Sequence, residues 1–147
     1  MTKQNQEPVI SLNDKEMKVS DYDELLSLWQ SVSGLLLPAK EEPKNLERFL
    51  ERNPGLSYVL KYEEKIIGAI LCGHDGLQGY IHRAAVSPLF QGGGYGSMLV
   101  EQCRKSLAEI GIDRVRITVS EENALGQAFW EKKGWKEHGE SKLMSLN

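Results

Sequence analysis

The sequence predicts a mixed α/β fold. Short β-branched and apolar runs, such as Ile66 to Leu71, alternate along the chain with segments whose apolar residues recur at helical spacing. Between Tyr80 and Val119 a strand, a glycine-rich loop, a helix and a second strand follow one another, which is the order of a right-handed βαβ unit. The 147 residues are 40% hydrophobic and contain no repeat, low-complexity tract or Gly/Ser linker, so a single domain spanning 1–147 is expected.

Each element has its own signal. The first strand falls at Val9 to Leu12 or at Met17 to Val19. Asp21 then caps a helix whose apolar face holds Leu25, Leu28 and Trp29. Pro38 to Pro43 interrupts the pattern, and Lys44 to Arg52 resumes it with Leu46, Phe49 and Leu50 before Asn53-Pro54-Gly55 ends it. The runs SYVLKY and KIIGAILCGH flank Glu63-Glu64 and predict a hairpin whose turn lacks the favoured Asn-Gly chemistry. Asp75-Gly76 turns the chain into a strand over Tyr80 to Val86. A helix carrying Leu99, Val100, Cys103, Leu107 and Ile110 follows the glycine loop and stops at Gly111. Val115, Ile117 and Val119 alternate with Arg114, Arg116 and Thr118 as a half-buried strand. A last helix from Asn123 to Lys133, closed by Gly134, precedes a weak terminal strand around Lys136 to Met144.

Composition excludes several function classes. The formal net charge is -3 and Lys and Arg are scattered along the sequence, which argues against nucleic acid as a partner and mildly favours a cationic substrate. MTKQNQEPV has no apolar stretch of the signal-peptide kind, and no run of about 18 apolar residues is present to span a bilayer, so a cytoplasmic protein without a membrane partner is expected. Cys72 and Cys103 are too few for a disulfide framework and lack zinc-ligand spacing, so both are expected as core thiols. Cys72 and His74 alternate on one strand without a third ligand, and no metal is expected.

The informative stretch is VSPLFQGGGYGSML, with four glycines in five positions at Gly92, Gly93, Gly94 and Gly96. Glycine costs chain entropy, which close backbone approach or positive φ compensates. Lying between a strand and a helix N-terminus, where unpaired N–H groups and a partial positive charge favour an anion, the loop has the makings of a phosphate cradle. It is not a P-loop, because Gly96 is followed by Ser97-Met98 with no lysine, and it lacks the third glycine of the dinucleotide fingerprint.

Gln91, Gly94 and Gly96 do match a Gln/Arg followed at the third and fifth later positions by glycines. This loop, preceded by Ala85-Val86-Ser87-Pro88, resembles the pyrophosphate loop of the GCN5-related N-acetyltransferase (GNAT) family. Downstream, Asn123, Ala128, Phe129, Trp130, Gly134 and Trp135 resemble the family's second motif, and the likeness covers most of the chain from Tyr58 onward. The resemblance implies a three-layer α/β/α architecture around a mixed, mostly antiparallel sheet of six to seven strands with about four helices. It implies transfer of an acetyl group from acetyl-CoA to a primary amine by direct attack, without a metal. By the same likeness, Ala84, Ala85 and Val86 would hold the pantetheine arm as a false strand. Gln91, Gly92, Gly93, Gly94, Tyr95, Gly96 and Ser97 would hold the pyrophosphate, with Asn123 and Trp130 on the opposite wall. Asn123 is equally suited to capping its helix. A sheet edge able to pair two chains into a homodimer is common in the family.

The catalytic positions depart from the family pattern. Where many members carry a Tyr that returns a proton to the thiolate stands Trp130, whose indole cannot act as that acid. Where one branch carries a glutamate stands Thr118. Comparison with the arylalkylamine-acetylating branch points instead to Tyr80 and His82, with His82 as base near pKa 6.5 and Tyr80 as acid or pocket wall. By strand alternation Tyr80, His82, Ala84 and Val86 are expected on one face. Glu121 and Glu122 could bind an amine's charge or serve the helix dipole, and Trp29 with Leu35-Leu36-Leu37 could pack the core or line an acceptor pocket. A second reading, motivated by Trp130 and Thr118, is a non-catalytic acyl-CoA-binding regulatory module of the same fold.

Overall fold

The computed structural model of the protein describes residues 10–11, 16–32, 35, 37 and 42–146. Of the two positions expected for the first strand, the earlier is correct: β1 is Ile10–Ser11, pairing with Lys61 and Tyr62. Val9 and Leu12, like Leu36 and Pro38, lie outside the described residues. Met17 instead leads into a short 3-10 turn, Val19–Asp21, and its N–H donates to Ser57 O at 2.9 Å while its side chain is buried.

Helices α1 (Tyr22–Ser31) and α2 (Pro43–Arg52) come next, then β2 (Tyr58–Tyr62), β3 (Lys65–His74) and β4 (Gly79–Val86). The second βαβ arm is α3 (Tyr95–Glu109) with β5 (Val115–Ile117), and α4 (Ala124–Lys132) follows. The sheet order is β1-β2-β3-β4-β5, antiparallel except for the β4–β5 pair, which is parallel as a crossover helix requires.

The sheet thus has five strands among the described residues, fewer than the six to seven expected. Residues 136–144 are exposed and not in a strand. Lys136, Glu137, His138, Glu140 and Lys142 leave no apolar alternation there that could bury one face.

Two apolar clusters, one on each face of the sheet, give the three layers. Leu25, Leu28 and Trp29 of α1 and Leu46 of α2 pack with Val59, Ile66, Ala69, Leu71 and Ala85. On the other face Leu99, Val100, Cys103 and Leu107 of α3 pack with Leu60, Ile70, Cys72 and Ile81. Burying each large aliphatic side chain contributes about 1.5–3 kcal/mol before conformational entropy is subtracted, so these two seams hold the sheet between its helices. The Glu63-Glu64 turn is tight, and both residues take positive φ (51° and 66°), which the favoured Asn-Gly would adopt with less strain.

Two register shifts mark the sheet, one at Leu60/Lys61 against β3 and one at Leu71/Cys72 against β4. In the second, Leu71 pairs with Arg83 and Cys72 with Ile81, so His82 is the extra residue of a β-bulge.

Candidate active site

The bulge reassigns the faces of β4. Ala84 and Val86 pack toward the α3 side, and Ile81 does the same. Tyr80, by contrast, pairs with Gly73, whose missing Cβ would lie 2.8 Å from the Phe49 ring of α2. The His82 ring meets Phe49 edge-on at 5.2 Å and Tyr80 at 6.2 Å. Tyr80 and His82 therefore face α2 while Ala84 and Val86 face α3, against the single face expected from simple alternation; the extra residue breaks the period of two. Arg83 joins the α1/α2 face, with its guanidinium carbon 4.4 Å from the centre of the Trp29 ring.

Beyond the bulge β4 loses its parallel neighbour. β5 pairs with Gly79, Tyr80 and Ile81 and with no later residue of β4. On the other edge, Ser87 N–H donates to Ile67 O at 2.7 Å, which sets the alternation of the antiparallel ladder. Residues 85 and 87 turn their main-chain groups toward β3; residues 84 and 86 turn theirs into the open seam. Ala85 is thereby removed from the expected cofactor wall: its main chain is committed to Ala69 and its side chain is 4% exposed in the α1-side core. At the seam, Gln91 Nε2 donates to Val86 O at 3.0 Å.

The glycine loop opens on the same seam. Gly92 and Gly94 have φ of 87° and 85°, and Gly94 is the N-cap of α3 without a side-chain cap. The first helical bond runs from Met98 N–H to Gly94 O, which leaves the N–H groups of Tyr95, Gly96 and Ser97 directed outward from the helix end. The other two glycines make room for rings. A Cβ on Gly93 would lie 2.8 Å from Tyr95 Cε2, and one on Gly96 would lie 3.3 Å from Phe129 Cζ and 3.8 Å from Val86 Cγ2. Tyr62, Phe90 and Tyr95 continue as a row of rings, with centroids 5.4 and 6.4 Å apart.

Phe129 is thus the α4 residue that meets the Gly96 end of α3, whereas Trp130, expected on the cofactor wall, turns into the core. Trp130 is 7% exposed and packs in the α3-side core, edge-on to Phe129 at 5.0 Å and Trp135 at 4.9 Å. Helical periodicity held the clue, because adjacent residues on a helix point about 100° apart and only one of the two can face the seam. Asn123 caps α4: its Oδ1 accepts from Gly126 N at 2.9 Å, and its amide nitrogen lies where a Gly126 Cβ would be. Glu121 and Glu122 are exposed in the turn before it, and Glu122 N–H donates to Ser120 Oγ at 3.2 Å.

His82 is solvent-accessible, yet the groups packed around its ring, and secondarily the Arg83 charge, lower its pKa below the ordinary 6.5. Both causes favour the neutral imidazole, the form that can accept a proton. Cys72 and Cys103 are buried against each other, and that contact together with burial raises the Cys103 thiol pKa, which suits two inert core thiols. His74 Nδ1 accepts from Gly76 N at 3.0 Å. Among the described residues, no group of three or more His, Cys, Asp or Glu side chains could hold a metal, and no helix is long and apolar enough to cross a membrane.

The sequence and the fold are matched among known proteins. The profile described as Acetyltransferase (GNAT) family matches residues 22–135. Acetyltransferase YE1169 of Yersinia enterocolitica is 31% identical over 113 residues, covering 77% of this chain and 79% of its own. The crystal structure of PH1933 from Pyrococcus horikoshii superposes with a TM-score of 0.73 at 25% identity, covering 91% of this chain and 93% of that one. An aminoglycoside acetyltransferase, meta-AAC0020 from an uncultured soil metagenomic sample, solved with sisomicin, shares the fold with a TM-score of 0.74 at 18% identity, over 95% of this chain and 97% of its own. With the family profile spanning most of the sequence, the chain belongs to the acetyltransferase (GNAT) family and is an acyltransferase.

Proposed function

We propose that the protein transfers an acetyl group from acetyl-CoA to a primary amine by direct attack, with both substrates held at once. The observation that carries this reading is the continuity of main-chain groups along the seam. The outward-facing edges of Ala84 and Val86 lead to the uncapped N-terminus of α3, where Tyr95, Gly96 and Ser97 offer N–H donors. An extended amide chain ending in a diphosphate is complementary to that sequence of groups. Residues Ala84 and Val86 would hold the pantetheine arm and residues 92–97 the diphosphate, with Phe129 closing the wall beside Gly96. Acetyl-CoA would bring the acyl group as an activated thioester.

The chain's own side chains supply the rest. His82, at the point where β4 and β5 part, would take the proton of the attacking amine as the new C–N bond forms. Tyr80 and Phe49 hold the imidazole from two sides, and Tyr80 lines the acceptor approach. The open edge of β4 also bears on the alternative of a non-catalytic acyl-CoA binder, which the indole at Trp130 favours because the usual proton donor is missing there.

One experiment separates the two. Free thiol release from acetyl-CoA is followed over a panel of amino acids, polyamines, arylalkylamines and peptide N-termini, alongside calorimetric titration with acetyl-CoA. Turnover with at least one amine is expected. Tight cofactor binding with a silent panel would favour the binding module, and no cofactor binding would end both readings.

A further inference from the structure

The scattered arginines of the sequence converge in the fold. Val115 and Ile117 pack against the α3-side core, so Arg116 between them projects from the opposite face of β5. Arg116 is the register partner of Tyr80 in the parallel ladder. The spacing of neighbouring strands and of residues along them places its Cα about 5 Å from that of Tyr80 and about 8 Å from that of His82. Arg83, rotated onto this same face by the bulge, lies over Trp29 on the other side of His82. Arg114 and Arg116 are exposed and, among the described residues, have no carboxylate partner. The candidate base therefore lies between two arginines of this face, Arg116 on β5 and Arg83 on β4, on a molecule whose net charge is -3.

We propose that Arg116, beside Tyr80 and within reach of His82, recognises an anionic group on the acceptor, so that the substrate is a small primary amine carrying a carboxylate or a phosphate. The inference rests on the transferase reading and names its acceptor class. The diphosphate loop lies on the α3 side of the seam, whereas His82 opens to the α1/α2 side, so an acceptor reaching His82 meets the face on which Arg116 lies. Guanidinium groups bind carboxylate and phosphate oxygens in paired, charge-assisted hydrogen bonds. The same local positive field disfavours a polycation there, although overall charge alone would favour one.

The test uses matched amines: γ-aminobutyrate against butylamine for the carboxylate, O-phosphoethanolamine against ethanolamine for the phosphate, and spermidine and sisomicin as polycations. Acceptor kcat/KM and calorimetric binding to the CoA-saturated protein are both measured at low ionic strength. The anionic member of at least one pair is expected to be preferred by about tenfold, with added salt eroding the preference. R116Q should lower that ratio about fivefold, and R114Q, whose side chain starts further from His82, should lower it less. R104Q, which removes an equal charge from α3, should leave the ratio unchanged. Preference for the neutral or polycationic amines, or equal effects of R116Q and R104Q, would overturn the proposal. Anionic selectivity in binding without any turnover would retain the basic site while removing the transferase reading.

Discussion

The two ends of β4 are built on different principles. From Ala84 onward the site is made of main chain: the unpaired edge of the strand, the αL turns at Gly92 and Gly94, and the first N–H groups of α3. At the bulge it is made of side chains, with His82, Tyr80, Phe49 and Arg83 brought to one face by one extra residue. The first construction depends on the path of the backbone, which the glycines set, and not on side-chain chemistry. The second depends on which way each side chain points, so cofactor binding and acceptor chemistry should be separable by mutation.

The largest separation is expected at His82. H82A should lower kcat by about a hundredfold while leaving the acetyl-CoA dissociation constant within about twofold, as steady-state kinetics and calorimetry would record. A loss below about tenfold would remove His82 from the role of base. Because its pKa is held below 6.5, the acid limb of kcat/KM should fall at a pH lower than an ordinary histidine gives. The same shift means the unfolded chain binds more protons there as pH drops below 6.5. That contribution to stability is present above 6.5, diminishes as pH falls toward the folded value, and disappears from pH-dependent unfolding curves in H82Q.

The next effect tests the support of the bulge. In G73A the new methyl would lie 2.8 Å from Phe49 Cζ and 2.8 Å from Asn53 Cγ, so Phe49, whose ring meets His82 edge-on, or Asn53 must give way. A loss of about 1–3 kcal/mol in denaturant unfolding is expected, with kcat reduced more than cofactor affinity. The mirror experiment addresses the loop. Gly94 has φ of 85°, and G94V forces a β-branched residue into that region at a cost of about 1–2 kcal/mol. Acetyl-CoA should bind about tenfold more weakly by calorimetry, with acceptor KM little changed. Equal damage to both substrates in either variant would dissolve the distinction between the two ends.

This contrast also explains what could be foreseen. The loop was legible because positive φ and close ring contacts leave glycine as the practical choice, and that constraint is written directly into Gly92 to Gly96. The layered α/β order was legible from periodicity, down to the parallel β4–β5 pair. The faces of β4 were not, because a bulge leaves no mark in GYIHRAAV: its residues still alternate plausibly, and only pairing with Leu71 and Cys72 reveals the slip. Phe129 and Trp130 are an intermediate case: periodicity says that only one of the two adjacent aromatics can face the seam, and the fold puts Trp130 in the core. The weak terminal strand expected around Lys136 to Met144 does not form, because Lys136 to Lys142 is too polar to bury a face.

The smallest expected effect lies away from both ends, in the β2–β3 hairpin. Replacing Glu63-Glu64 by Asn-Gly relieves two positive-φ residues and should stabilise the fold by about 0.5–1 kcal/mol in urea unfolding, with both kinetic parameters unchanged. A shift in kcat would instead link that turn to the acceptor side.

The hydrogen bond from Gln91 to Val86 has a consequence for solubility. A bare strand edge is a template on which other chains can assemble and precipitate. Here the exposed run from His82 is short, its last carbonyl is already satisfied by Gln91, and Pro88, which has no N–H, interrupts the ladder two residues later. A foreign strand laid along that groove would run out of partners almost at once, so a surface kept open for one slender guest offers little to sheet-forming aggregates.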